Sequence, residues 1–309
     1  MKILITGVHG FVGSNLVEYL KANNEIYGLD IVSPEKDGIV KTFSWDDLEA
    51  GNIPAIDAII HLAGKAHDTK NKSAADVYFK VNTGLTQKIF DYFMASGAKK
   101  FVFFSTAKAA ADRVEGVLTE DVVPSPVGPY GESKIKAEEY ILSHDLPNDK
   151  QVYIFRPCMI HGPGNKGNLN LLYSVVRKGI PWPLGAFENR RTFTSIENIC
   201  FAVNGVLTKD VPSGIYNMGD DEALSTNELI EEICKSLGKK AHIWILPKSL
   251  MTGIAKVGGW LHLPLNPDRL QKLTENYVSS NEKIKKALGI DKMPVDARKG
   301  LQRTLESFR

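Results

Sequence analysis

A phenol and an ammonium stand four residues apart in Pro129-Tyr130-Gly131-Glu132-Ser133-Lys134, a spacing that puts both side chains on one face of a helix. Such a pair can move protons. Of the ten tyrosines, only Tyr130 has a lysine four positions on. A free tyrosine titrates near ~10 and is a poor base at neutral pH. A cation within a few ångströms stabilises the phenolate and brings it toward the working range, which is the task this spacing offers Lys134. Upstream, Phe103-Phe104-Ser105-Thr106 closes an apolar run with two hydroxyls. Thr106 can hydrogen-bond an oxygen whose carbon loses hydride, while Ser105 can join the site or simply cap the strand. Thr106, Tyr130 and Lys134 are therefore the candidate catalytic set.

Loss of hydride needs an acceptor, and the amino terminus offers a place for one. Gly7-Val8-His9-Gly10-Phe11-Val12-Gly13 follows the apolar run Lys2 to Thr6 and opens a helical stretch, Phe11 to Lys21. A turn of this kind permits a backbone to approach a pyrophosphate, with the phosphate at the helix amino end. Gly7, Gly10, Phe11, Val12 and Gly13 are candidate dinucleotide ligands. Asp30 ends the second strand, 17 residues after Gly13, where a carboxylate accepts hydrogen bonds from a ribose diol and repels a 2'-phosphate. That favours NAD over NADP, with Ile31 beside it. Leu62, Ala63 and Gly64 end another strand, where small residues let a ribose or adenine come close. Asn82, four residues after Tyr78, is read as ordering the site or as helix packing.

These groups need a frame. Strand-like runs at Ile3 to Thr6, Ile26 to Asp30, Ala58 to Leu62, Phe101 to Ser105 and Val152 to Phe155 alternate with helical patterns at Phe11 to Lys21, Ala74 to Ser96 and Glu132 to Ser143. The alternation predicts an α/β fold, a Rossmann-type doubly wound parallel sheet, with ligands at the carboxyl strand ends. After Pro157, itself a candidate cofactor contact, glycines and prolines break the chain into short pieces. A capping box at Ser225-Thr226-Asn227-Glu228 starts a helix running to about Leu237. The expected organisation is a dinucleotide domain over 1–160, with 192–220 returning to it. A smaller, discontinuous α/β substrate domain takes 161–191 and 221–309.

Composition excludes other classes. The 309 residues are 43% hydrophobic and 24% charged, with 38 basic against 36 acidic residues scattered along the chain. Disorder is excluded, and neither nucleic acid nor an anionic membrane is an expected partner. Cys158, Cys200 and Cys234 are odd in number and far apart, which argues against a disulfide framework or a metal site and fits the cytoplasm. No export signal is read at the amino terminus. Leu250 to Leu265 is too short and interrupted to span a bilayer and is read as a core or cleft-wall helix.

Taken together the chain resembles the extended short-chain dehydrogenase/reductase family, within it the NAD-dependent nucleotide-sugar epimerases, dehydratases and 4-keto reductases. The likeness covers nearly the whole chain. It rests on Thr6 to Gly13, Asp30, His61-Leu62-Ala63-Gly64, Val81-Asn82-Thr83-Gly84, Phe104 to Ala107, Tyr130 to Lys134, and Arg156-Pro157 followed by Gly162-Pro163-Gly164. The resemblance implies that Tyr130 takes the proton of a sugar 4-hydroxyl, with Thr106 as hydrogen-bond partner and Lys134 also holding the nicotinamide ribose. It implies that Asn168, with Leu169, and Arg191 hold the nucleotide and diphosphate of a UDP-sugar, with Arg269 as a second cation. It also implies a homodimer through the helices around Ala74 to Ser96 and Glu132 to Ser143.

The departures matter. Ala110-Ala111 stands where UDP-galactose 4-epimerases carry Tyr-Gly, and Ala107-Lys108 stands where dehydratases carry Asp-Glu, which removes the acid that dehydration needs. Three readings stay open: a 4-epimerase of a UDP-hexose or UDP-N-acetylhexosamine, an NAD(P)H-dependent reductase of a UDP-4-keto-6-deoxy sugar, and a non-catalytic dinucleotide sensor. The intact Thr106, Tyr130 and Lys134 set argues against the last.

Overall fold

Runs rich in β-branched and aromatic residues extend into strands, and their length and burial decide which sheet they join. The computed structural model describes residues 1–65, 74–165, 167–261 and 265–309. In chain order the strands are β1 (Lys2–Thr6), β2 (Glu25–Leu29), β3 (Lys41–Phe43), β4 (Ala58–His61), β5 (Lys100–Phe104), β6 (Val117–Leu118), β7 (Gln151–Pro157), β8 (Met159–His161), β9 (Arg191–Ser195), β10 (Gly214–Met218), β11 (Ala223–Leu224) and β12 (Val278–Ser279). Seven form one parallel sheet in the order β10-β7-β5-β4-β1-β2-β3. The fold is a doubly wound α/β sheet.

From β1 the chain moves outward to β2 and β3, then returns to lay β4, β5, β7 and β10 on the other side. The order therefore reverses between β1 and β4, and the crevice at that switch point is where such sheets take ligands. Burial on both faces explains why Ala58, Ile59 and Ile60 form an unbroken apolar run rather than an alternating one. Strand β10 pairs with β7 through Ile215 to Ile154 and Tyr216 to Phe155, so the chain rejoins the main sheet after its long excursion.

The helix that opens the glycine turn is Phe11–Leu20, and the one carrying the phenol is Pro129–Leu142, with Pro129 in its first turn. Proline suits that position because it lacks the N–H that any other residue would leave without a helical partner there. The capping box is present, with Glu228 N donating to Ser225 Oγ (3.1 Å) and Ser225 N to Glu228 Oε2 (2.7 Å), and its helix is Thr226–Ser236.

Two features depart from the sequence reading. The long helix over 74–96 is not uniform: α-helical Ala75–Tyr78 passes into a π-helical stretch, Phe79–Gly84, and then α-helical Leu85–Ala95. Strands β3, β6, β8, β11 and β12, of two or three residues each, are too short to show a period. Away from the main sheet, Leu169, Tyr173, Trp182, Leu229, Ile233 and Leu301 join a separate apolar cluster. This is the core of a second lobe.

Candidate active site

The glycine turn is dictated by space. Gly7 has φ +68°, and a Cβ there would lie 2.9 Å from Ala63 N. A Cβ on Gly13 would lie 2.6 Å from Gly7 O and 2.7 Å from Val8 O. Gly10, as N-cap of Phe11–Leu20, supplies no side-chain oxygen to the first turn. The amides there remain available to an anion. Phe11 and Val12 begin the helix, and the ring of Phe11 backs onto Gly162.

Asp30 follows β2 directly. Its Oδ2 accepts from His9 N (3.1 Å) and its Oδ1 from Ile31 N (2.7 Å). The carboxylate is thereby tied to the glycine turn, half-buried at the sheet edge, with the Ile31 side chain exposed beside it. A dinucleotide fits this cradle: the turn has no side chains in the way, the helix end is open, and a carboxylate stands at the ribose position.

A directed chain of hydrogen bonds joins the two loops of the crevice. Thr86 Oγ1 donates to Asn82 O (2.6 Å), so its lone pair accepts from His61 Nε2 (2.9 Å). His61 Nδ1 then accepts from Thr6 Oγ1 (2.7 Å), which itself accepts from Leu62 N (3.1 Å) and Ala63 N (2.9 Å). Burial and the Lys134 charge hold the imidazole neutral, well below its ordinary pKa. The histidine's tautomer follows from its partners. Sequence reasoning missed this role for His61, whose signal lay only in its place within His61-Leu62-Ala63-Gly64.

Asn82 sits inside the π-helical stretch and is fully buried. Its Oδ1 accepts from Lys65 N (2.7 Å), and its Nδ2 donates to Ser133 Oγ (2.9 Å) and Lys65 O (3.2 Å). Widening the helix by one residue aims this amide at the catalytic helix, a common use of π-turns. Gly64 belongs to the same knot, since a Cβ there would meet Asn82 Oδ1 at 3.0 Å and Lys134 Nζ at 3.2 Å.

The catalytic candidates converge. Tyr130 hydrogen-bonds the Thr106 hydroxyl at the end of β5, and its ring meets Tyr78 edge-on at 6.3 Å. Lys134, one turn further along, donates to Phe104 O (2.8 Å) and lies 4.8 Å from the centre of the Phe103 ring. Burial lowers its pKa to about 8, opposed by the charge of Glu138. The phenol differs from the sequence expectation: burial raises Tyr130 above its ordinary pKa, the Thr106 bond opposes this, and Tyr78 adds to it. Desolvation of the phenolate outweighs what its neighbours return.

Beside this pair stands Glu138, a residue that sequence reading did not single out, between Ser105 and Arg156, which it did. The Ser105 hydroxyl donates to Glu138, which also receives Arg156 Nε (3.0 Å) and Nη2 (2.5 Å). Ser105, Glu138 and Arg156 are all buried. The signal was present in the helical spacing of Tyr130, Lys134 and Glu138. Ser105 thus points its hydroxyl at Glu138, whereas Thr106 offers its own to Tyr130. Pro157 closes β7 beside Met218 of β10.

The substrate-side candidates are spread over the second lobe. Asn168 is exposed at the start of helix Asn168–Arg177, while Leu169 turns inward with Tyr173 and Val176. Arg191 begins β9, and its Nη1 donates to Lys272 O (2.7 Å) on helix Pro267–Thr274. Arg269 lies on that same helix, exposed, its backbone amide capped by Asn266 Oδ1 (2.9 Å). Arg191, Lys108 and Ser279 all act on Cys158, whose thiol burial pushes up to about 12. Lys108 is held by Asp112 and lies 4.8 Å from the centre of the Tyr277 ring.

The model of the NAD dependent epimerase/dehydratase family matches residues 3–219. Over 326 aligned positions the chain is 30% identical to a UDP-glucose 4-epimerase of Vibrio cholerae, covering 99% of this chain and 95% of that one. It is 28% identical to N-acetyl-alpha-D-glucosaminyl-diphospho-ditrans,octacis-undecaprenol 4-epimerase of Escherichia coli O157:H7, covering 92% and 84%. The fold also matches the solved UDP-glucose 4-epimerase of Thermus thermophilus in complex with NAD, with a TM-score of 0.77, 23% identity and coverage of 100% and 99%.

Proposed function

The chain belongs to the NAD-dependent epimerase/dehydratase family and is an enzyme, and we propose that it is a 4-epimerase of a UDP-hexose or UDP-N-acetylhexosamine. One observation carries this reading: the Tyr130 phenol is bonded to Thr106 at the carboxyl end of β5, with the Lys134 ammonium one helical turn away. A sugar 4-hydroxyl placed between Thr106 Oγ1 and Tyr130 Oη is held by the first and loses its proton to the second. Lys134, with a pKa of about 8, supplies the positive charge that favours phenolate at that moment. Bound NAD would supply the acceptor for the C4 hydride and, once reduced, the donor for its return to the other face of the sugar.

The residues proposed to hold NAD are Gly7, Gly10, Phe11, Val12 and Gly13 at the pyrophosphate and Asp30 and Ile31 at the adenosine ribose. Leu62, Ala63, Gly64, Asn82, Ser105, Tyr130, Lys134 and Pro157 line the rest. Asn168, Leu169, Arg191 and Arg269 are proposed for the UDP side, where the Arg191 fork suits a diphosphate. In this reading residues 1–160 and 192–220 form the dinucleotide half, 161–191 and 221–309 the substrate half, and two copies form a dimer.

The test is to denature freshly purified protein, quantify released NAD(H) and NADP(H) per chain, and then offer UDP-hexoses. Near-stoichiometric NAD with interconversion of C4 epimers supports the proposal. Empty protein that consumes NADPH or NADH against a UDP-4-keto-6-deoxy sugar overturns it in favour of a reductase.

A further inference from the structure

Helix Lys248–Trp260 was expected to be a core or cleft-wall element, yet it has two apolar stripes. Met251, Ala255 and Gly258 are buried, the first two in the second-lobe cluster. On another face Leu250, Ile254, Val257 and Leu261 recur at helical spacing and are all exposed, Val257 to 55%. Trp260 is 80% exposed, and Trp244 and Ile245 just upstream are exposed as well, Ile245 to 79%. Contiguous apolar exposure on this scale marks a surface that something covers.

The charge along this stretch of sequence has one sign. From Lys239 to Pro267 there is no aspartate or glutamate, in a chain that carries 36 of them, while Lys239, Lys240, Lys248 and Lys256 all fall in this stretch. All four lysines are exposed. Among the described residues no helix is long and apolar enough to cross a membrane. A short helix with an outward apolar stripe, exposed tryptophans and only basic charges matches the pattern of elements that lie in the headgroup layer instead. We propose, against the expectation drawn from the balanced charge of the whole chain, that this face docks on an anionic lipid bilayer. A second copy is the poorer occupant, since self-pairing would set Lys248 and Lys256 against their own copies, with no acid on the helix itself to pair them. A soluble polyanion would leave the apolar stripe in water.

The placement has a structural consequence. Gly259 packs against Pro267, where a Cβ would lie 3.0 Å from Pro267 Cδ, at the start of the helix whose Lys272 carbonyl holds Arg191. The membrane-facing helix is therefore one layer from the proposed diphosphate contact.

The test sediments the purified full-length protein with vesicles of phosphatidylcholine alone or mixed with phosphatidylglycerol. The expected result is pelleting with the anionic vesicles, little with the zwitterionic ones, and release by salt. Removing charge in Lys248→Gln or Lys256→Gln should weaken partitioning by roughly fivefold for each. The Ile254→Asp/Val257→Asp double variant should abolish it, while NAD uptake and circular dichroism match the parent. Failure to pellet with anionic vesicles overturns the proposal, as does undiminished pelleting of the double variant. An oligomer in light scattering that only the double variant dissociates also overturns it, assigning the face to a second copy. None of these readouts depends on turnover, so they fail or succeed apart from the epimerase reading.

Discussion

The sheet lobe and the second lobe solve the placing of side chains differently. In the sheet lobe the reactive groups sit near the ends of parallel strands or on the helices beside them, and several are tied by multiple hydrogen bonds. Asn82 makes three, Thr6 Oγ1 three and Glu138 is held by both Ser105 and Arg156. On the substrate side the candidates lie outside the main sheet, Asn168 at the start of a helix and Arg191 at the start of β9, and Arg191 is held by a carbonyl 81 residues away in sequence. The first lobe is a rigid chemical frame. On the substrate side the candidate cations rest on backbone and cap contacts instead, Arg191 on Lys272 O and the Arg269 amide on Asn266.

If the frame carries the chemistry, Tyr130→Phe should produce the largest effect, a fall in kcat of about 10²–10⁴-fold with NAD binding retained. Unchanged turnover would move the proton-transfer step to another group. Next, one substitution should act with opposite sign in the two lobes. Gly13→Ala would push a Cβ to 2.6 Å from a backbone oxygen, costing about 1–3 kcal/mol and losing NAD. Gly253→Ala has nothing within 4 Å of the new Cβ and sits in an exposed helix, so it should raise stability by about 0.5–1 kcal/mol. Thermal melts of the pair read both signs. Equal effects would erase the contrast.

On the substrate side, Arg191→Lys removes the fork but keeps the charge. KM for the nucleotide sugar should rise about tenfold, the scale of one charge-assisted hydrogen bond, with kcat little changed. A drop in kcat alone would put Arg191 in the chemical frame. The smallest effect is a shift in pH. Lys134 loses its proton near 8 because burial opposes its charge, and Glu138 favours the ammonium. Glu138→Gln removes that support, so the proton leaves at lower pH; it also leaves the buried Arg156 without its carboxylate and lowers stability, so the pH profile is read at a temperature where circular dichroism shows the variant folded. The alkaline limb of kcat/KM should move acidward by roughly one pH unit. A limb that stays in place would separate it from Lys134.

Local motifs were legible because they answer local constraints. The glycine turn, Asp30, Thr106, Tyr130 and Lys134 can be read from neighbours within a few positions. The π-helical stretch at Phe79–Gly84 could not be, since the contacts that go with it, from Asn82 to Lys65 and Ser133, lie 17 and 51 residues away. Leu169 shows the same limit. Beside Asn168 it reads as part of a binding motif, yet with Tyr173 and Val176 it completes an inward helical stripe, and three side chains at that spacing share one face. The outward stripe of Lys248–Trp260 was visible as apolar composition, but which face met protein was not.

The amino-acid sequence by itself determined the alternation of strands and helices, the steric demand for glycine in the first turn, and the phenol–ammonium spacing. Each is a property of backbone geometry over a few residues. Only the tertiary structure decided that burial raises the Tyr130 pKa, that Ser105 turns to Glu138 while Thr106 turns to Tyr130, that Arg191 meets Lys272, and that an apolar helix face stays open. The reason is physical. Desolvation and pairing depend on which distant surfaces close over a group, and that is settled only when the strands take their order in the sheet.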